Sequence, residues 1–282
     1  MRYSDMLTLE QVLREGRALL TSASLEEADL DAWYLLEHCF GVTRATYYMN
    51  MGAEADLANY EKYKELLEKR MERIPLSQII GSRDFYGFSF YVNENVLTPR
   101  QETEILVEEA LKICENKNVL DVCTGSGCII ITLAKSTKLN TAVGVDISSK
   151  ALEVARKNVA DLEADVTLIE SDLFSNVEGK FDVIVSNPPY IPTKDIEELE
   201  PEVRLHEPML ALDGTEDGLE FYRRIIDDAH KYLNAEGTII FEIGYDQGEA
   251  VSTLLKEANY IDVKVIKDLT GRDRVVSGRL IQ

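Results

Sequence analysis

Asn187-Pro188-Pro189-Tyr190 is the segment whose residue types define a chemistry most narrowly. A proline pushes the residue before it out of the helical region, and a second proline stiffens the turn. The Asn187 carboxamide oxygen and the adjacent Pro188 carbonyl then form a pair of acceptors, which suits a planar –NH2 group. Tyr190 offers a ring to stack on such a group. An ordinary proline-rich turn leaves one thing unexplained. These groups directly follow Phe181–Ser186, a predicted strand, and the carboxyl ends of strands are where open α/β sheets bind ligands.

Three other segments add to this. Asp121-Val-Cys-Thr-Gly-Ser-Gly127 separates a strand-like run from a helix-like one. In Cys123, Thr124, Gly125, Ser126 and Gly127 the glycines admit close backbone approach, and N–H groups at a helix start favour an anionic group. Ile130 stands where a dinucleotide fingerprint needs its third glycine. A tight strand-to-helix turn accounts for this loop equally well when it is taken alone. Asp146 ends the next strand, where a carboxylate can accept from both ribose hydroxyls of an adenosine-containing cofactor. It could equally cap the helix that follows. On the first reading Asp146 matters for cofactor affinity and hardly for folding. Asp172 and Leu173 follow the third strand. There a carboxylate could accept from an adenine amino group and an apolar side chain could pack on the ring, although a plain loop acid explains the pair if it is considered by itself.

The elements that must position these residues follow from periodicity. Apolar residues of residues 1–74 recur at helical spacing, with Thr8…Gln11 and Ser24…Glu27 as capping boxes and a third helix over about Asp56–Arg73 carrying Leu57, Tyr60, Tyr63, Leu67 and Met71 on one side. Residues 75–98 turn aromatic and β-prone, which predicts a β-hairpin linking two domains. Over residues 99–282 apolar strands alternate with helices, with a long irregular segment from the Asn187 turn to about Gly218. The expected fold is α/β: a doubly wound, mostly parallel, seven-stranded Rossmann-like sheet with an antiparallel last strand, beside a small helical domain.

Composition removes several classes. With 30 basic and 51 acidic residues the net charge is −21, which argues against direct nucleic-acid binding through clustered positive charge. No apolar run approaches the roughly 18–20 residues that span a bilayer, and the polar opening of the chain does not read as a leader. A cytoplasmic protein is expected. Cys39, Cys114, Cys123 and Cys128 form no CxxC pair and the three histidines complete no ligand cluster, so no metal site is expected.

Taken together, these residues resemble the class I S-adenosylmethionine-dependent methyltransferases, and the Asn187–Tyr190 motif resembles that of enzymes acting on planar amino or amide nitrogens. Within that group, Pro75–Gly81, Phe85-Tyr-Gly87, Leu97-Thr-Pro-Arg-Gln-Glu-Thr-Glu104, Val185–Ile191, Val203–Pro208 and Gly271–Val275 are similar, in order, to the release-factor glutamine methyltransferases, the HemK/PrmC family. The resemblance covers residues 75–282 strongly. It implies N5-methylation of the glutamine in the Gly-Gly-Gln loop of class 1 peptide-chain release factors, with S-adenosyl-L-methionine as cofactor. It also implies that Asn187, Pro188, Pro189 and Tyr190 hold the glutamine amide, that Cys123–Gly127, Asp146 and Asn187 hold the methionine and ribose, that Asp172 and Leu173 hold the adenine, and that the helical domain helps dock the release factor. Cys123 replaces the family's first loop glycine, Gln101 replaces its usual proline, and Leu173 stands where some relatives carry an aromatic.

An amide nitrogen is a poor nucleophile, so the site must place it in line with the methyl group, and no His, Cys or carboxylate is required as base. Competing readings are a methyltransferase for a ribosomal-protein glutamine or a nucleic-acid exocyclic amino group, and a non-enzymatic nucleotide-binding adaptor on the same fold.

Overall fold

In the computed structural model, which describes residues 7–281, Thr8 caps the first helix as its spacing requires: its hydroxyl accepts from Gln11 N–H, and Gln11 reaches back to Thr8 N–H at 2.8 Å. The first six residues, part of the opening read above against a leader, lie outside the described residues. Helices α1 (Leu9–Ser22), α2 (Ala28–Phe40), α3 (Arg44–Asn50), α4 (Leu57–Met71) and α5 (Leu76–Ile80) follow. Together with Pro201–His206 they make one compact unit, which ends at Gly81. Its core holds Leu13, Trp33, Leu36, Tyr63 and Leu67. Gly16 is obligatory here, since a Cβ would lie 2.0 Å from the Tyr63 hydroxyl. Buried Arg70 donates to Asp31 at 2.7 Å and to Glu202 at 3.0 Å, and Gln78 donates to the His206 carbonyl, which ties the distant 201–206 segment into the helical unit.

Two expectations for this region need correction. Ser24 does not cap α2; it sits at φ 56 and donates its N–H to Thr21, so it ends α1, and Glu27 precedes α2 without a side-chain cap bond. Leu57 is 69% exposed, because α4 buries Tyr63, Leu66, Leu67 and Arg70 instead.

The second unit begins with a hairpin, β1 (Ser82–Phe85) and β2 (Phe88–Tyr91). Tyr86 and Gly87 both have positive φ, the two-residue turn whose twist suits a hairpin. Phe85 and Phe90 bury against α6 (Glu104–Leu111), so the hairpin packs into this unit's core. The chain then runs β3 (Asn118–Val122), α7 (Cys128–Ser136), β4 (Thr141–Asp146), α8 (Ser149–Asp161), β5 (Thr167–Glu170) and β6 (Phe181–Ser186). After the short helices α9 (Pro201–His206) and α10 (Met209–Leu212) come α11 (Glu220–Ala229), β7 (Leu233–Glu242), α12 (Gly248–Glu257), β8 (Tyr260–Lys267) and β9 (Asp273–Leu280). The segment expected to be irregular thus contains helical turns, closed by backbone bonds such as Asp213 N–H to the Met209 carbonyl.

The seven strands lie in the order β5-β4-β3-β6-β7-β9-β8. Every pairing is parallel except those of β9, which is antiparallel to both its neighbours. Successive residues of β3 face opposite cores: Leu120 and Val122 lie with Ile225 and Val251, and Val119 lies with Val107 and Ile130. Burial on both faces is why these strands read as nearly unbroken apolar runs. The order reverses between β3 and β6, which makes a crevice outside the carboxyl ends of those two neighbours. Among the described residues no helix is long and apolar enough to cross a membrane.

Candidate active site

The crevice at the β3–β6 switch point opens into a cavity of about 290 Å³. The turn after β3 is curled by three left-handed residues at alternate positions, Cys123 (φ 63), Gly125 (φ 55) and Gly127 (φ 80). A left-handed cysteine is strained where a glycine is not, and such strain persists when the surroundings over-determine it. Those surroundings are visible: Thr124 Oγ1 donates to Asp121 at 2.6 Å, Thr124 N–H donates to the Val145 carbonyl, and Asn158 on α8 donates to the Ser126 carbonyl at 2.9 Å. Gly144 makes room for this, because a Cβ there would stand 2.9 Å from Thr124 Oγ1.

Asp146 is tied into the same turn. Its two oxygens accept from Gly125 N–H and Ser148 N–H, both at 2.9 Å. Burial raises its pKa, against the N–H bonds of Ser148, Gly125 and Ile147 that favour the charge. Asp146 lines the cavity and organises the loop and the approach to α8, but the cap of that helix is Ser148, whose hydroxyl accepts from Ala151 N–H. The expectation that it hardly matters for folding is corrected accordingly. Asp121 is fully buried with Oδ1 unpartnered, and burial pushes it up to about 7. Burial likewise raises the Cys123 thiol and pushes Cys128 up to about 12, so both stay protonated and neither is a nucleophile at neutral pH.

At the other end of the edge, Asp172 lines the cavity but accepts from Arg224 on α11 at 2.8 Å. Leu173 is buried at φ 51, its carbonyl taken by the Ser171 hydroxyl.

After β6, Asn187 lines the cavity and its carboxamide makes no hydrogen bond with another described residue; nor does any donor reach the Pro188 carbonyl. The Asn187 carboxamide is thus free for a ligand in the cavity. Pro189 lines the cavity, whereas Pro188, Tyr190 and Gly127 do not. The Tyr190 ring packs on the sheet's core and its hydroxyl donates to Glu242 at 3.4 Å. Cys123, Thr124, Gly125, Ser126, Asp146, Asp172, Leu173, Asn187 and Pro189 are therefore the sequence-derived residues that the fold brings together around one space.

Several lining residues escaped the sequence reading. Asn95, Val96 and Leu97 form a wall behind the hairpin, with Val96 packed on Ala151 and Val154 of α8. Arg100 pairs with buried Glu207 at 2.6 Å, and Glu207 also accepts from Thr98 N–H, which clamps this wall to the segment carrying Pro208 and Leu210. Phe221 and Arg224 come from α11. Arg100 and Glu207 stand inside motifs already noted, Leu97–Glu104 and Val203–Pro208, but no local spacing shows that they meet.

Comparison with known proteins agrees with this geometry. Residues 100–200 match the family model described as Methyltransferase small domain, and residues 11–81 match the PrmC N-terminal domain. Over 278 residues the chain is 40% identical to the release factor glutamine methyltransferase of Geobacter sulfurreducens, with 98% of each chain covered. Among solved structures, a methyltransferase from Pyrococcus furiosus aligns with a TM-score of 0.54 at 18% identity, covering 76% of this chain and 100% of that one. The 16S rRNA N2 G1207 methyltransferase of T. thermophilus, in complex with AdoMet and guanosine, aligns with a TM-score of 0.50 at 17% identity, covering 71% and 49%. At those identities the two structures speak for the fold, while the full-length relative speaks for more: the chain belongs to the release factor glutamine methyltransferase family.

Proposed function

We propose that the protein transfers a methyl group from S-adenosyl-L-methionine to the side-chain amide nitrogen, N5, of the glutamine in the Gly-Gly-Gln loop of class 1 release factors. The observation that carries this reading is the Asn187 carboxamide, which makes no hydrogen bond with another described residue and lines the cavity at the switch point together with the Cys123–Ser126 turn. The family's named activity supports it.

The residues present fit the cofactor. A Cβ on Gly125 would meet nothing within 4 Å, so its backbone is open to close approach. Asp146 supplies a carboxylate for ribose hydroxyls, and Leu173 and Phe221 supply apolar surface at the adenine end. When bound, the cofactor supplies an electrophilic methyl group on a sulfonium. Asn187 and Pro188 accept the two amide N–H bonds of the substrate and so fix the direction of the nitrogen lone pair. The same acceptors stabilise positive charge as it develops on nitrogen, and preorganised dipoles of this kind are worth most where water is excluded. The neutral thiols take no part, and the proton leaves to water after transfer. We further assign release-factor docking to the helical unit and the cytoplasm as the place of action, with no direct nucleic-acid or membrane partner.

Mass spectrometry of release factors incubated with the protein and S-adenosylmethionine tests the reading. A gain of one CH2 on the Gly-Gly-Gln peptide is expected. An unmodified release factor alongside methylated ribosomal protein or RNA would overturn the substrate assignment.

A further inference from the structure

Behind the Asn187–Tyr190 turn lies a carboxylate that the mechanism above does not use. Glu242 ends β7 and is 2% exposed. Its Oε1 accepts from the Tyr190 hydroxyl at 3.4 Å, and its Oε2 has no hydrogen-bond partner among the described residues. A buried carboxyl with an unsatisfied oxygen works against folding, and an apolar side chain of similar size would not. Such a group calls for a role in its surroundings. Those surroundings are the Thr103 hydroxyl, which belongs to a residue lining the cavity, the Arg274 guanidinium, and Tyr190.

The backbone of Tyr190 is held by other means. Gln247 Nε2 donates to the Tyr190 carbonyl at 3.0 Å and to the Gly218 carbonyl at 3.2 Å. Gly214 and Gly218 press against the same residue; a Cβ on Gly214 would lie 2.8 Å from Tyr190 Cα. These contacts fix the backbone, and the ring packs on the sheet's core. Among the described residues the ring's hydroxyl makes its hydrogen bond to Glu242, with the Arg274 and Arg100 guanidinium charges acting on it as well.

Resting on the reading of Asn187–Tyr190 as the amide site, we infer that Glu242 is a positioning residue for methyl transfer: by accepting from the Tyr190 hydroxyl it locks the tyrosine ring and, through two stiff prolines, the acceptor pair at Asn187 and Pro188. Glu242 touches neither substrate nor cofactor in this scheme.

The test uses full-length protein carrying 3-fluorotyrosine, with the residue-190 resonance assigned by its loss in Tyr190→Phe. Glu242→Gln keeps an acceptor, and its resonance and single-turnover rate stay near those of the parent. Glu242→Leu removes the acceptor at similar volume; its resonance shifts and its rate falls by roughly 10-fold while cofactor affinity holds, as expected when only a transition-state interaction is lost. Tyr190→Phe loses a similar factor, and the double variant loses no more than either single one, because both remove the same bond. An unmoved resonance in Glu242→Leu, a normal rate in Tyr190→Phe, or additive losses would each overturn the inference. A parallel loss of melting temperature, cofactor affinity and rate in Glu242→Leu would also overturn it, in favour of a purely structural role. If Glu242→Leu does not fold, Tyr190→Phe and Glu242→Gln decide. If the parent protein leaves release factors unmodified, the amide reading fails by itself, and the resonance still decides the Glu242 link.

Discussion

The turn after β3 and the turn after β6 leave neighbouring strands, and they are built in opposite ways. The first is curled by left-handed residues, with the N–H groups of Thr124, Gly125 and Gly127 taken by Val145, Asp146 and Thr124; the second is stiffened by prolines and leaves the Asn187 carboxamide without a partner among the described residues. Each has a buried carboxyl behind it with one oxygen unpartnered, Asp121 in the first case and Glu242 in the second, and burial pushes both up to about 7. The difference lies in reach. Asp121 holds Thr124, three residues along, whereas Glu242 holds Tyr190 across 52 residues of chain. The first turn is nevertheless also held from a distance, by Val145, Asp146 and Asn158, so its carboxyl is one of several anchors. The second turn depends on distant groups to aim it.

If the turn after β6 carries the reaction and the turn after β3 carries cofactor affinity, variants should separate the two. The largest effect is expected for Asn187→Ala: a turnover loss of about 100-fold or more, with folding and cofactor affinity retained. Asn187→Asp should bind cofactor at least as well, its charge standing beside the sulfonium, yet turn over poorly. Calorimetry paired with single-turnover rates checks both, and a folded Asn187→Ala protein with near-normal turnover would break the comparison outright.

Asp146→Ala comes next. It should weaken cofactor affinity by about tenfold or more, since each charge-assisted hydrogen bond is worth ~1.5–3 kcal/mol. It also frees the Gly125 and Ser148 N–H groups, so the melting temperature of the cofactor-free protein should fall with it. Unchanged affinity would remove Asp146 from the cofactor site.

The two buried carboxyls should show as a pH dependence. A carboxyl whose folded pKa is raised from 3.8 or 4.5 to about 7 binds its proton more readily in the folded state. Its contribution to stability is therefore present in full below the unfolded pKa and is lost as pH rises through about 7. Denaturant unfolding at pH 5 and pH 8 should find Asp121→Asn and Glu242→Gln each less sensitive to that rise than the parent. Equal sensitivity would mean that the carboxyl is not protonated within the fold.

The smallest effect is expected at Cys123. Cys123→Gly relieves a left-handed side chain, at a position that costs a non-glycine residue roughly 1–2 kcal/mol, but raises the entropy of the unfolded chain by about half that. A net gain of ~1 kcal/mol or less in urea unfolding is expected, and a clear loss would show that the thiol's packing outweighs the strain.

The chain by itself determined whatever rests on neighbours along it. An apolar run announced β6 to the residue, the Thr8 box announced α1, and the motifs announced that the candidate site residues follow strand ends. Where two local signals competed for one residue the reading failed: Ser24 could start α2 or end α1, and only the packed helices chose. Only the tertiary structure decided which strands are neighbours, and so that the turns after β3 and β6 share a crevice. It alone paired Asp172 with Arg224 and Arg100 with Glu207, took residues 201–206 into the helical unit, and turned the Tyr190 hydroxyl toward Glu242. The physical reason is the same in each case. Helix periods, caps and turns are set by interactions within a few residues, whereas a buried ion pair or a shared cavity forms only when chain closure has brought remote segments together and removed the water that would otherwise satisfy them.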